Sequence, residues 1–295
     1  MEREIAIIGT TASGKSDLAI EIAKKYNGII LSLDSLSIYK EIDIASAKPT
    51  KEQLKEILHF GVNIIYPNEP FSVISFIEEY KRAKEKAIRD NKILIIAGGS
   101  TFYLKAMLDG LSPMPKISPA ISKEVEKLIK TKRAFLYLKK IDPIYANKIT
   151  HNDKYRIQKA LEIYFSTNLT PTIYFKSNPP KPIIKNIPIY EIITPKEILK
   201  NRIYKRTLKM IKNGLIDEVA YLEKKYGASS HPLGAIGIKE VLEYFNGKVK
   251  YDQLLPLISQ NTLKLAKRQR TFNKTQLPSH YQGSLLELKR ELSLK

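Results

Sequence analysis

Residues 9 to 16 read Gly-Thr-Thr-Ala-Ser-Gly-Lys-Ser and fit the spacing G-x-x-x-x-G-K-[ST], in which backbone amides, a lysine and a hydroxyl converge on an anion. Gly9, Thr10, Thr11, Ala12, Ser13 and Gly14 form the loop. The amides of residues 12 to 16 point inward at an anion on a helix N-terminus, Lys15 adds a point charge and Ser16 a magnesium ligand. Such a loop holds a di- or triphosphate. A second candidate is Asp34, the sole acid between Glu21 and Glu41. Three roles are open to it: capping the next turn, ordering magnesium, or accepting a proton from a bound nucleophile. Gly98 and Gly99 let the backbone approach a ligand, and Ser100 can cap a helix while its hydroxyl faces the site. Arg202 and Arg206 stand four residues apart on one helical segment, spaced to clamp a diphosphate or to lie in solvent.

These groups need elements to bring them together. An apolar run at Ile5 to Ile8 precedes the glycine loop, and Leu18, Ala19, Ile22, Ala23 and Tyr26 fall on one helical face after it, which predicts strand, loop, helix. Residues 28 to 35 read as a second buried strand reaching Asp34, and 61 to 65 as a short third. A long amphipathic helix follows from 73, capped by Ser72, with Val73, Phe76, Ile77, Tyr80, Ala83 and Ala87 inward. Residues 92 to 98 form a further strand, and a short helix begins at Thr101. Strands alternating with helices predict an α/β fold, a phosphate-loop NTPase-like parallel sheet covered on both faces. Its ligand sites lie beyond the carboxyl ends of the strands. From 112 to 185 helices are separated by prolines, which predicts an inserted helical lid. The core is expected from 1–111 and 186–295, with a returning strand at 186 to 193 and a helical remainder that Gly214 interrupts.

The chain has 295 residues, 50 Lys and Arg against 30 Asp and Glu, and no cysteine. Disulfides and cysteine-held zinc are excluded, and the four histidines are too scattered to suggest a metal cluster. No apolar run approaches bilayer-spanning length, so a soluble, cytoplasmic protein with no membrane partner is expected. The charge of +20 points to a polyanion, although lysine-rich base composition yields the same total. Distribution decides. No acid lies between Asp252 and Glu287, whereas Lys264, Lys267, Arg268, Arg270 and Lys274 fall within eleven positions, a pattern that favours a nucleic-acid face.

Six ordered segments together resemble the bacterial tRNA dimethylallyltransferases, the tRNA isopentenyltransferases or IPP transferase family. The glycine loop is similar to that family's G-P-T-A-S-G-K-T. Residues 34 to 50 resemble D-S-x-x-x-Y-x-x-x-D-I-x-x-A-K-P, and residues 98 to 103 resemble G-G-T-x-x-Y. Further on, 152 to 162 look like N-D-x-x-R-x-x-R-A-L-E, 235 to 240 like A-I-G-Y-x-E, and 261 to 272 like N-T-x-x-x-A-K-R-Q-x-T-W. Departures are Thr10, Ser16, Phe60, Ser100, Lys159 and Phe272. None removes a charge or the proton acceptor.

The resemblance implies transfer of a dimethylallyl group from dimethylallyl diphosphate to the exocyclic amine of the adenosine 3′ to the tRNA anticodon, with magnesium. It implies Asp34 as general base, with Thr11 and Arg202 also catalytic, and diphosphate contacts from Thr11, Lys15, Ser16 and Arg202. Asp34, Ser35, Leu36, Ser37, Ser100, Tyr155, Arg156, Ile157, Gln158, Lys159, Lys267 and Arg268 become tRNA contacts in the anticodon stem-loop. A monomer is expected. A phosphate-loop small-molecule kinase would explain the loop and sheet but not the basic stretch, and a non-catalytic RNA-binding protein would leave the Asp34 site unexplained.

Overall fold

The computed structural model describes residues 4–131 and 133–293. The chain divides into two compact units, one of residues 1–105 and 185–295, the other of 106–184. The boundary thus falls inside the helix that begins at Thr101, rather than at 112.

The first unit opens with β1 (Glu4–Gly9), α1 (Lys15–Lys25), β2 (Gly28–Leu33), α2 (Lys51–Glu56), β3 (His59–Phe60), α3 (Val73–Arg89), β4 (Ile93–Gly98) and α4 (Thr101–Asp109). The second contains α5 (Pro119–Lys130), α6 (Ala134–Ile141), α7 (Pro143–Ala146), α8 (Lys154–Thr167) and α9 (Pro171–Ser177). The chain then returns through β5 (Ile189–Ile192), α10 (Lys196–Lys212), α11 (Leu215–Tyr226), α12 (Ile238–Phe245), α13 (Tyr251–Gln276), β6 (Tyr281–Gly283) and α14 (Leu285–Ser293).

Among the described residues six strands form one sheet in the order β3-β2-β4-β1-β5-β6, each pair parallel. The central strands are near-continuous apolar runs because both faces are covered: Ala6, Ile7, Ile8, Ile29, Leu31, Ile95 and Ile96 are fully buried. The connection from β1 leads to β2 on one side, and the connection from β4 leads to β5 on the other. Those diverging connections open a crevice beyond the carboxyl ends of β1 and β4.

Leu18, Ala19, Ile22 and Ala23 of α1 pack on the sheet together with Leu288 and Leu292 of α14. Each such large side chain contributes about 1.5–3 kcal/mol by burial. On α3, Ser72 caps through its side chain, which accepts from the Ser75 amide, and Phe76, Ile77, Tyr80, Ala83 and Ala87 are buried, as their spacing predicts. The second unit has its own core, in which Val125, Leu138, Ile157 and Leu161 are buried.

Two local expectations are corrected. The third strand is His59–Phe60, not residues 61 to 65, which make only an isolated bridge at Ile65. Gly61 and Asn63 take positive φ of 75° and 55°, so the backbone cannot stay extended there. The C-terminal part is not wholly helical either. β6 adds an edge strand beside β5, a three-residue piece too short to give an alternating pattern.

Candidate active site

Register explains why the sequence's candidate residues meet. Ile8, Gly98 and Leu33 lie on one rung of β1, β4 and β2, so Gly9, Gly99 and Asp34 are each one step past the same level. A Cβ on Gly98 would stand 2.1 Å from the Leu33 carbonyl oxygen. That close approach excludes any larger residue at 98.

The phosphate loop turns through Ala12 and Gly14, both at positive φ of 61° and 95°, and Gly14 caps α1 in the left-handed conformation. The first N–H groups of α1 have no acceptor within the helix and so form an anion-binding end. Lys15 donates to the Thr10 carbonyl at 3.1 Å. Its pKa is lowered to about 8, first by burial and then by the neighbouring Arg206, against an opposing pull from Asp34. Arg206 is lowered by burial as well and donates to Thr11 Oγ1 at 3.2 Å. Arg202 donates to the Ser13 carbonyl at 3.1 Å but is an exposed residue. Of the two arginines, Arg206 is therefore the more enclosed.

Asp34 Oδ1 accepts the amides of Leu36 at 2.8 Å and Ser37 at 3.2 Å, so the capping role is real. Only Oδ1 is engaged in these bonds. Ser100 donates its amide to the Leu33 carbonyl, and its hydroxyl accepts the Ser35 amide at 3.2 Å, which ties the β4 turn to the Asp34 turn. Thr11, Lys15, Ser16, Asp34, Ser100, Arg206 and Arg268 line one cavity of 420 Å³. A second, of 820 Å³, shares Lys15, Ser16 and Arg206 and adds Arg202 and Lys209. Buried Thr10 Oγ1 and Ser13 Oγ have no hydrogen-bond partner among the described residues.

The sequence reading missed Gln269. Its Oε1 accepts the Thr11 amide at 2.9 Å and its Nε2 donates to the Gly99 carbonyl at 3.0 Å, so one side chain of α13 bridges the phosphate loop and the β4 turn. It lay unmarked within the basic stretch. Lys264, Lys267, Arg268 and Arg270 are exposed there, and Arg270 also donates to the Thr194 carbonyl. The A-I-G-Y-x-E and N-T segments also acquire a structural reason: Glu240 accepts from the Gly237 amide at 2.6 Å and from Asn261 at 2.7 Å, joining α12 to α13. Beneath the site, Asn273 links Thr101 to Glu191, on which His280 also sits. The hydrogen bond to Glu191 raises the His280 pKa.

Residues 155 to 159 lie on α8 in the other unit. Tyr155 is 71% exposed and Arg156 pairs with Asp153. Ile157 is core, and Gln158 and Lys159 both donate to buried Glu162. Among the described residues no group of three or more His, Cys, Asp or Glu side chains could hold a metal, and no helix is long and apolar enough to cross a membrane.

This arrangement brings half-buried cations suited to an anion and a carboxylate suited to accept a proton into the lining of one cavity. Known proteins resemble this chain over most of its length. The profile of the IPP transferase family matches residues 37–276. The tRNA dimethylallyltransferase of Nautilia profundicola is 57% identical over 284 residues, 96% of either chain. That of Aliarcobacter butzleri is 54% identical, covering 93% of this chain and 92% of its own. The crystal structure of the tRNA delta(2)-isopentenylpyrophosphate transferase of Staphylococcus epidermidis superposes with a TM-score of 0.69 at 30% identity, over 99% of this chain and 97% of that one.

Proposed function

The chain belongs to the IPP transferase family, and from that premise we propose that it transfers a dimethylallyl group from dimethylallyl diphosphate to the exocyclic amine of the adenosine 3′ to the anticodon of tRNA, releasing diphosphate. The observation that carries the reading is the single cavity shared by Lys15, Arg206 and Asp34. Cations at one end stabilise charge gathering on the departing diphosphate, while the carboxylate accepts the amine proton as the carbon–nitrogen bond forms. An aryl amine is a weak nucleophile, so that proton acceptance lowers the barrier. The target base must leave its stack to reach Asp34, and the anticodon stem-loop offers a single-stranded loop from which a base can be splayed out.

Thr11 and Arg202 fit the donor side. Thr11 lines the cavity and Arg202 fixes the loop through Ser13. Exposed Lys267 and Arg268 suit tRNA phosphates. Magnesium fits the donors present: the Ser16 hydroxyl is a hard oxygen at the cavity lined by the phosphate loop, and this ion is commonly held by few protein groups together with substrate phosphates and water. When bound it would supply positive charge at the diphosphate. The enzyme works as a cytoplasmic monomer in this reading.

Incubation with labelled dimethylallyl diphosphate or with ATP, followed by isolation of tRNA, tests the proposal. Label from the prenyl donor alone should enter tRNA; label passing from ATP to a small molecule would sink it. Asp34→Asn keeps the shape and removes the base. Its single-turnover rate should fall by about 10²- to 10⁴-fold while donor and tRNA dissociation constants move a few-fold, and a near-parent rate would make Asp34 a cap only.

A further inference from the structure

The segment from Asp34 to Pro49 supplies the carboxylate and part of both cavity walls, yet it is neither helix nor strand over most of its length. Something outside it must hold it still. Glu218, in the first turn of α11, accepts three successive backbone amides of this segment: Asp43 at 2.8 Å and Ile44 at 2.7 Å on Oε2, and Ala45 at 2.9 Å on Oε1. Three charge-assisted bonds on one carboxylate is an unusually firm anchor.

The contacts continue inward. Asp43 Oδ1 accepts from Lys48 at 2.7 Å. The Lys48 side chain is only 3% exposed, and its ammonium also donates to the Tyr39 carbonyl at 2.6 Å and to Asn63 Oδ1 at 2.7 Å. All three of its protons have acceptors, which offset part of the burial that still holds its pKa below the ordinary lysine value. Asn63 in turn donates its amide to the Ser37 carbonyl at 3.1 Å, and the Ser37 amide reaches Asp34 Oδ1. A continuous hydrogen-bonded path therefore joins Glu218 to the Asp34 carboxylate through Asp43, Lys48, Asn63 and Ser37.

We infer that Glu218 is a positioning residue for prenyl transfer, holding the Asp34 carboxylate in reach of the amine through the Asp43–Lys48–Asn63 path. Its role differs from binding. Glu218 itself lines neither cavity, although Asp43, Ile44 and Ala45, whose amides it holds, do, so its loss should be read far more in the transfer rate than in donor or tRNA affinity. A misplacement of about 1 Å can cost on the order of a hundredfold in rate.

The inference rests on the proposed reaction, and the test separates the two. In the full chain, Glu218→Gln and Asp43→Ala are compared with Asp217→Asn, a change at an exposed neighbour on α11. Single-turnover transfer, donor and tRNA dissociation constants, and amide exchange at residues 36, 37 and 43–45 are measured well below the unfolding midpoint. Glu218→Gln should slow transfer by about 30- to 100-fold, shift both dissociation constants less than threefold, and speed exchange at Leu36 and Ser37 as well as at 43–45. Asp217→Asn should match the parent. Faster exchange confined to 43–45 with a parental transfer rate would overturn the inference, because Glu218 would then only staple the loop. Should Glu218→Gln fail to fold, Asp43→Ala decides. It keeps the backbone amide for Glu218 and cuts the path at Lys48, so a parental rate overturns the inference. If the parent itself moves no dimethylallyl group to tRNA, the reaction is wrong, and exchange at Leu36 and Ser37 alone judges the positioning role.

Discussion

Two sets of cations in this molecule carry the same sign and live in opposite surroundings. Lys15 and Arg206 are enclosed, hydrogen-bonded to the phosphate loop and pushed toward neutrality by burial. Lys264 and Lys267 on α13 stand in solvent on an exposed face, and Arg268 beside them reaches the rim of the cavity. Enclosed charges act over short distance on a compact anion and are screened little by salt, whereas solvated charges act on a diffuse polyanion by releasing its counterions. Two sets of cations are thus suited to two kinds of anion by two physical means, and the two can be perturbed separately.

The largest expected effect is at the enclosed set. Lys15→Ala removes a desolvated charged hydrogen-bond donor, worth about 1.5–3 kcal/mol, so the donor dissociation constant should rise by about 10- to 100-fold while tRNA affinity moves less than threefold. Equal losses for both substrates, measured by equilibrium binding, would erase the distinction.

Next comes pH. A lysine whose pKa is lowered to about 8 is charged below that value and neutral above it, so donor affinity of the free enzyme should be level below about pH 8 and weaken by up to about tenfold per unit above it. Lys15→Met should abolish that inflection. An inflection that survives the substitution would assign it to another group.

Smaller again is the effect of salt on the exposed set. Neutralising Lys264 and Lys267 should flatten the logarithmic salt dependence of tRNA binding by about 0.7–0.9 per lost phosphate contact, leaving donor binding unchanged. A salt slope identical to the parent's would show these residues to be a solvated face only. Arg270 sharpens the contrast at the lowest magnitude. Because its guanidinium is held by the Thr194 carbonyl, Arg270→Ala should change the slope less than Arg268→Ala and instead lower stability by about 1 kcal/mol, as read by denaturant unfolding.

Much of the enclosed set was legible in the sequence, since the phosphate loop imposes a local spacing and strand ends at a shared rung follow from apolar runs. Asp34, Gly98 and Ser100 could be placed by the same reasoning. Gln269 could not, because its partners lie 258 and 170 residues away and a glutamine in a basic run gives no local signal. Arg206 was visible only as one of a pair; burial by the α10–α13 packing, not spacing, makes it the deeper of the two. Glu218 escaped for a related reason. An acid near the start of a helix looks like an ordinary favourable charge at the helix dipole, and only the folded loop shows that it serves three amides of another segment. β6 escaped because three residues at a sheet edge carry no period.

The sheet order has a consequence for how the protein is made. β1 finds one neighbour in β4 and the other in β5, and the loop it carries is closed by Gln269, 258 residues beyond Thr11. Contacts so distant in sequence make folding slow. At typical elongation of about 5–20 residues per second, the nascent chain holds a finished phosphate-loop sequence for many seconds before α13 can complete the pocket around it. A chain halted anywhere before α13 would lack both the Gln269 bridge and the basic face.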